Sequence, residues 1–312
     1  MTKHRPLPTQ VKSVGIIGGG TIGSSWAAYF LSRGLKVHIV DPNLSNETIT
    51  DVIDQMWVGL AELGLPEQAD KSQLSVTDAI TSNLANVDFV QENSPERLAT
   101  KQTVLAELEQ VISPEIVISS STSALLPSEI QANCQHPERV LAGHPFNPPH
   151  LVPLVEVVAG KKTTSDAVDW TMDFYQFVGR YPVHVKKEVV GHIANRLTAA
   201  LYREVVHLIA DGIGTVEDVD AVITQGPGLR WALMGPNTVY HLAGGQGGIQ
   251  HYMDHLGYTQ EMRWQELGNP RLTDEVRQTI VDGVTDMVGD QTIADLEAQR
   301  NERLIRLLQA IK

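Results

Sequence analysis

KSVGIIGGGTIGSSWAAYFLSRGLKVHIVDP, residues 12–42, carries the reading of the fold. Its opening apolar run, bounded by glycines, reads as a short buried strand. TIGSSWAAYFLSRG then reads as a helix stopped by Gly34, and KVHIVDP as a second strand ended by Pro42. Between the first strand and the helix stands Gly18-x-Gly20-x-x-Gly23. Glycine triplets arise by chance, but this one sits in the strand–turn–helix context that gives the pattern meaning. Gly18 permits a tight turn, Gly20 lets a pyrophosphate approach the backbone, and Gly23 allows helix and strand to pack closely. Gly18, Gly19, Gly20, Thr21, Ile22 and Gly23 are therefore expected to cradle a dinucleotide at the positive end of the helix. Asp41 closes the second strand, eighteen residues beyond Gly23. A carboxylate there accepts from ribose hydroxyls and repels a 2′-phosphate, and PNLSNE, which follows, offers no arginine. NAD is expected as cofactor rather than NADP.

Outward from this unit, strand-like runs recur at residues 87–94, 115–121, 139–144, 154–158 and 181–186. Helical stretches separate several of them, among them PERLATKQTVLAELEQVI with proline in its first turn. That alternation predicts an α/β fold with a mostly parallel, doubly wound Rossmann-type sheet. Near residue 190 the periodicity becomes helical and stays so; Thr215 with Asp218 marks one helix start as a capping box with a shorter acid. The expected division is an NAD-binding domain over 1–188 and an all-helical substrate and dimerisation domain over 189–312. The late helices have few partners within so small a domain, so a homodimer through the helical half is expected.

Composition narrows the function. The chain has 312 residues, 42% hydrophobic and 20% charged, and a formal net charge of −13. That charge disfavours nucleic acid and anionic membranes as partners. The single cysteine, Cys134, excludes an intrachain disulfide and a cysteine-based metal cluster, and no metal site is expected. There is no apolar run of about 18 residues, and the opening MTKHRPLPTQ has no apolar h-region. A cytoplasmic protein acting on a small molecule is the expectation.

The chemistry points to GHPFNPPHLVPLVEVV, residues 143–158. His144 falls at the carboxyl end of a strand, the edge at which doubly wound sheets bind ligands. Glu156 sits in an apolar strand with Leu154 and Val158 on its own face. A buried carboxylate without a partner is very costly, and the intervening loop is long enough to return His144 over it. The pairing would fix the imidazole tautomer and free its other nitrogen as a base. Both residues would also suit a purely structural ion pair, but their place beside a dinucleotide turn favours catalysis. SSSTS (119–123) follows a strand and carries five hydroxyls, suited to a substrate oxygen, a nicotinamide ribose or the cap of the next helix. Asn195 lies near the start of the first helix of the second domain, where its amide could reach a cleft or simply face solvent.

GGGTIG, SSSTSALLPSEI, HPERVLAGHPFNPPHLVPLVEVV, KEVVGHIANRL and EDVDAVITQGPGLRWALMGP, taken in order, resemble the 3-hydroxyacyl-CoA dehydrogenase family over about residues 12–260. The resemblance implies a Rossmann domain, a helical dimerisation domain and oxidation of an L-3-hydroxyl to a ketone. It assigns His144 as base, Glu156 as its carboxylate partner, and Ser123 and Asn195 as hydrogen-bonding groups for the substrate oxygen. Glu96, Lys101 and Asn147 match positions that contact NAD. The chain departs from the acyl-CoA branch, which typically reads HFFNP and PGFIVNR: Pro145, Val190 and His192 stand here instead. SSSTS, HPFNPP and KKEV before the helix resemble a sub-branch with small, non-CoA substrates, and QENSPERL, YHLAGGQGG and the tail LTDEVRQTIVDGV resemble its carnitine-oxidising members. The implied substrate is L-carnitine or a related 3-hydroxy acid; L-gulonate, a 3-hydroxyacyl-CoA, or a non-catalytic NAD-binding role are the alternatives. A quaternary ammonium is held by aromatic faces, since it has no N–H to donate. Trp231, Tyr240, Tyr252, Tyr258 and Trp264 fall within 34 residues, and Phe146 follows the histidine and proline. Trp231, Tyr240 and Phe146 are the candidates for the cation, with core or dimer-interface packing as the other use of such rings. Arg230 is the candidate for the substrate carboxylate, or for a structural salt bridge.

Overall fold

The computed structural model describes residues 4–311, which form two compact units. The first runs to Arg196 and also includes Gln299–Ala310; the second is Leu197–Ala298.

The first unit is built on eight strands: β1 (Ser13–Ile17), β2 (Lys36–Val40), β3 (Leu74–Thr77), β4 (Phe89–Glu92), β5 (Ile118–Ser120), β6 (Val140–Pro145), β7 (Leu154–Ala159) and β8 (Tyr181–Val185). Seven coincide with the expected runs. The eighth, β3, was not expected, because a four-residue half-buried edge strand has too little pattern to stand out. The strands form one sheet in the order β3-β2-β1-β4-β5-β6-β7-β8. The chain steps outward from β1 through β2 to β3 and then returns to β4 on the other side of β1. A crevice therefore opens at the carboxyl ends of β1 and β4, the switch point at which such sheets bind ligands.

All neighbouring strands are parallel except β6 and β7. The reason is length. Only residues 146–153 separate these two strands, and a parallel connection needs about a dozen residues or more.

Side chains alternate between the two sheet faces. Val14, Ile16, Val37, Ile39 and Phe89 pack in one core with Trp26, Phe30 and Phe174. Ile17, Val40, Val90 and Ile118 pack in a second core with Leu105 and Leu108. The helices α1 (Thr21–Ser32), α2 (Asn46–Glu62) and α5 (Ser165–Phe177) supply the first core, and α3 (Leu98–Glu109) supplies the second. A short helix, α4 (Pro127–Ile130), follows β5.

The second unit is helical, as expected. It takes most of α6 (Ala194–Ala210), then α7 (Val216–Gln225), α8 (Pro227–Trp231), α9 (Pro236–Ala243), α10 (Gly248–Glu266) and α11 (Asp274–Val288). Thr215 and Asp218 form the capping box at α7 that their spacing announces. The unit buries little: Ile209, Val216 and Val219 make its small core.

The last helix, α12 (Ile293–Ala310), departs from the expected division at 188/189. Its residues Gln299–Ala310 pack with the first unit. Ile305 is buried there, 2.8 Å from where a Cβ on Gly59 of α2 would stand, and Gln309 Nε2 donates to the Glu62 carbonyl at 2.8 Å. A sequence boundary drawn at a change of periodicity does not register an amphipathic helix that returns to an earlier domain.

Candidate active site

The glycine turn follows β1. Gly18 has φ +89°, and a Cβ there would lie 2.6 Å from the Asn93 carbonyl oxygen. A Cβ on Gly23 would stand 1.8 Å from the Gly18 oxygen, so α1 could not approach β1 with any side chain at this position. Gly20 differs: a Cβ there would meet nothing within 4 Å. Gly20 is also the N-cap of α1 and offers no side-chain cap. Open space thus stands against a helix start whose first N–H groups lack a side-chain acceptor. Asp41, just past β2, accepts from the N–H of Gly19 at 2.7 Å and from those of Asn43 and Leu44 at 2.8 and 3.1 Å. An ionised carboxylate has about four acceptor sites, so these bonds fix its position and leave capacity for a hydroxyl.

The five hydroxyls of residues 119–123 separate sharply. Ser119 bonds the buried Tyr175 hydroxyl at 2.8 Å. Ser120 donates to Glu92 at 2.5 Å, Ser121 to Asn93 Oδ1 at 2.7 Å, and Thr122 to Glu96 at 2.7 Å. Ser123 makes only a 3.4 Å contact from its hydroxyl to Glu96, while its N–H donates to the same oxygen at 2.8 Å. The Ala124 N–H adds a bond at 2.9 Å. Burial pushes the Glu96 pKa up, but the bonds from Thr122, Ala124 and Ser123 and the nearby Lys101 more than offset it, holding the carboxyl below its usual range. Lys101 is almost wholly buried. Its ammonium bonds both Glu92 oxygens at 2.9 and 3.1 Å and the Ser94 carbonyl at 3.0 Å, with Glu96 at 3.6 Å. Glu96 and Lys101, two of the three positions matched to cofactor contact, thus help hold the hydroxyl loop, and Glu92, which the sequence reading passed over, anchors it.

The antiparallel register sets His144 of β6 directly opposite Glu156 of β7. His144 Nδ1 lies 3.0 Å from Glu156 Oε2, and both side chains are buried. The other carboxylate oxygen accepts the N–H of Ile193 at 2.8 Å and of Ala194 at 2.9 Å, where α6 begins. Burial raises the Glu156 pKa, yet the bonds from His144, Ala194 and Ile193 outweigh it and hold the group below the usual carboxylate range. Glu156 is therefore ionised at neutral pH and can only accept. His144 must donate from Nδ1, which leaves the Nε2 lone pair available.

A cavity of about 290 Å³ opens here, lined by Ile22, Ser123, His144, Phe146, Asn147 and Asn195. Within the first unit the structure thus brings together one helix-start residue, the least engaged hydroxyl, the histidine and three of the remaining candidates. The loop after His144 is held from below: Arg180 donates to the carbonyls of Pro149 at 2.8 Å and Val152 at 3.0 Å, and Ser25 accepts the His150 N–H at 2.8 Å. His192, also unassigned by the sequence reading, packs its ring 5.1 Å from that of His144. Arg230, Trp231 and Tyr240 belong to the second unit, where all three are exposed. Tyr240 stacks obliquely on Tyr252 with ring centroids 4.8 Å apart. No group of three or more potential metal ligands occurs among the described residues.

Comparison with known proteins decides the family. Residues 13–189 match the 3-hydroxyacyl-CoA dehydrogenase NAD-binding domain, and residues 191–292 match the C-terminal domain of the same family. The chain belongs to the 3-hydroxyacyl-CoA dehydrogenase family. Such enzymes are NAD-dependent oxidoreductases, and the turn described above fits that cofactor: space beyond Gly20, an uncapped helix start and a fixed carboxylate at Asp41. The chain is 42% identical to an L-carnitine dehydrogenase of Nocardiopsis dassonvillei, across 100% of this chain and 95% of the relative. It is 43% identical to an L-carnitine dehydrogenase of Bacillus cereus, across 97% and 93%. Among solved structures it is similar to 5-formyl-3-hydroxy-2-methylpyridine 4-carboxylic acid 5-dehydrogenase, an NAD+-dependent dismutase. That likeness has a TM-score of 0.81 and 28% identity, and covers 97% of this chain and 100% of the other. Among the described residues no helix is long and apolar enough to cross a membrane.

Proposed function

We propose that this chain oxidises the 3-hydroxyl of L-carnitine to 3-dehydrocarnitine. The observation that carries the reading is the 42% identity, over the full length of this chain, to a family member named for that substrate. NAD+, when bound, supplies the hydride acceptor. The Gly18–Gly23 turn, with Gly19, Thr21 and Ile22, would hold the pyrophosphate, Asp41 would take the adenosine ribose hydroxyls, and Asn147 would contact the nicotinamide end. Ser123 and Asn195 orient the substrate oxygen. His144 Nε2 accepts the hydroxyl proton, and Glu156, ionised and bonded to Nδ1, stabilises the imidazolium that results. Glu96 and Lys101 would contact the cofactor, and they also help hold the loop that carries Ser123.

The cation of the substrate calls for aromatic faces and its carboxylate for an arginine; Phe146 lines the cavity beside His144, and Trp231, Tyr240 and Arg230 are exposed on the second unit. The second unit has a small core and leaves Leu229, Trp231, Leu233 and Leu242 exposed. That supports a homodimer through this unit; a monomer in sedimentation would end that part of the reading. The single cysteine suits the cytoplasm, and a chain recovered from a secreted fraction would contradict that placement.

The deciding experiment mixes the purified protein with NAD+ and L-carnitine and follows NADH absorbance, with L-gulonate and L-3-hydroxybutyryl-CoA in parallel. Turnover of L-carnitine well above the other two is expected. Turnover of another substrate alone would overturn the carnitine assignment and leave the His144–Glu156 chemistry standing.

A further inference from the structure

His192 is a buried titratable residue that the reaction above does not use. It is fully buried, and it is the one described non-glycine residue in the left-handed region, with φ +49°. Gly191 before it has φ +77°. Non-glycine residues seldom adopt this conformation, histidine with asparagine and aspartate doing so more readily than the rest, and such backbone outliers gather at functional sites. Its Nε2 lies 3.0 Å from the Thr122 carbonyl oxygen. A carbonyl only accepts, so Nε2 carries the proton and Nδ1 bears the lone pair. That Nδ1 is buried and has no hydrogen-bond partner. An unusual backbone and an unpartnered acceptor are both retained at this one position, and a ring that merely filled space would require neither.

The two connections of this segment explain the retention. Through Nε2, His192 holds the backbone of the hydroxyl loop at Thr122, one residue before Ser123. Through the next two N–H groups, of Ile193 and Ala194, the same turn holds Glu156. We propose that His192 is a positioning residue that ties the hydroxyl loop to the His144–Glu156 pair, setting the distance between Ser123 and the base. The proposal rests on the assignment of His144 as that base.

The groups facing the ring are His144 on β6, Glu156 on β7 and Glu96 ahead of α3. Burial disfavours a charge on His192 most strongly, the Thr122 carbonyl favours it, a positive His144 opposes it, and the two carboxylates favour it; the outcome is a pKa below the ordinary value. A neutral His192 also leaves room for the positive charge that His144 gains on taking a proton. A cation 5.1 Å away would oppose that transfer.

The test compares His192→Phe, which keeps a ring and loses the donor, with His192→Gln, which keeps an N–H donor. Kinetics are run on whichever 3-hydroxy substrate the wild type turns over, so failure of the carnitine assignment is separable from failure here. His192→Phe is expected to lower kcat about tenfold or more through misplacement of the loop, with the KM for NAD+ little changed. His192→Gln is expected to recover most of that loss and to keep the wild-type acidic limb of the kcat/KM profile. Equal losses in both variants with a displaced acidic limb would make His192 a proton-transfer partner and overturn the proposal. A wild-type kcat in His192→Phe would reduce the residue to packing and overturn it as well. Independently of turnover and of either variant's folding, imidazole 15N shifts of the wild-type protein should show His192 neutral with its proton on Nε2 at neutral pH. A charged ring, or the Nδ1–H tautomer, would remove the bond on which the proposal stands.

Discussion

At the scale of single residues, the site turns on hydrogen-bond direction. Glu156 accepts from His144 with one oxygen and from Ile193 and Ala194 with the other. Glu156→Gln cannot satisfy both sides. With its oxygen toward His144, its NH2 faces two N–H donors; turned round, its NH2 meets Nδ1 and reverses the imidazole tautomer. Turnover should fall by about a thousandfold, while NAD+ affinity measured by fluorescence titration stays near wild type. Full activity in this variant would remove Glu156 from the mechanism. Acid stability follows from a different histidine. Burial first, then the positive charges of Arg180 and Arg300, lower the His150 pKa from 6.5 to about 4. The folded state therefore binds fewer protons than the unfolded state in that window. The contribution is complete above pH 6.5 and is lost as pH falls toward 4, for a total of about 3 kcal/mol. Glu156 acts in the same direction lower down: its contribution is full above the ordinary 4.5 and is lost as pH falls through its depressed folded value. Urea midpoints measured between pH 7 and 4 should drop in wild type and drop less in His150→Gln.

At the scale of elements, the strand–turn–helix at residues 13–32 separates folding from binding by glycine position. Gly23→Ala drives a methyl into the Gly18 carbonyl and must push α1 off β1. It should destabilise by about 2 kcal/mol or more. Gly20→Ala meets nothing in the protein, so its thermal midpoint should stay near wild type while its NAD+ affinity falls. Equal effects of the two variants on melting would contradict this division of roles. Elements with a strong local pattern were legible in the sequence: the paired strands and turn of residues 12–42, the capping box at Thr215, and the strand carrying Glu156. The edge strand Leu74–Thr77 was not, because its partner β2 makes it a strand while its own four residues show no strong alternation.

For the whole molecule, the chain's end returns to the first unit. Ile305 is buried near Gly59 and Leu151, far from it in sequence. Ile305→Ala should cost about 2–4 kcal/mol of stability, read as a lower urea midpoint. An unchanged midpoint would mean that the tail does not stabilise the first unit. This docking was invisible in the sequence because a helical period states which face is apolar and not which surface covers it. The same limit applied to the five hydroxyls of residues 119–123, which are alike in sequence. Only the folded chain supplies the acceptors, Glu92, Asn93, Glu96 and Tyr175, that separate structural hydroxyls from the lightly held Ser123. From sequence alone came the α/β class, the helical second half, the dinucleotide turn and the expectation that His144 meets Glu156. Each is encoded by residues close together in the chain: periodicity, glycine spacing, and an apolar strand that cannot bury a lone carboxylate. Tertiary structure alone decided the register that pairs those two residues, the place of the tail and the contacts of His192. Those depend on contacts between distant segments, whose geometry exists only once the backbone is packed.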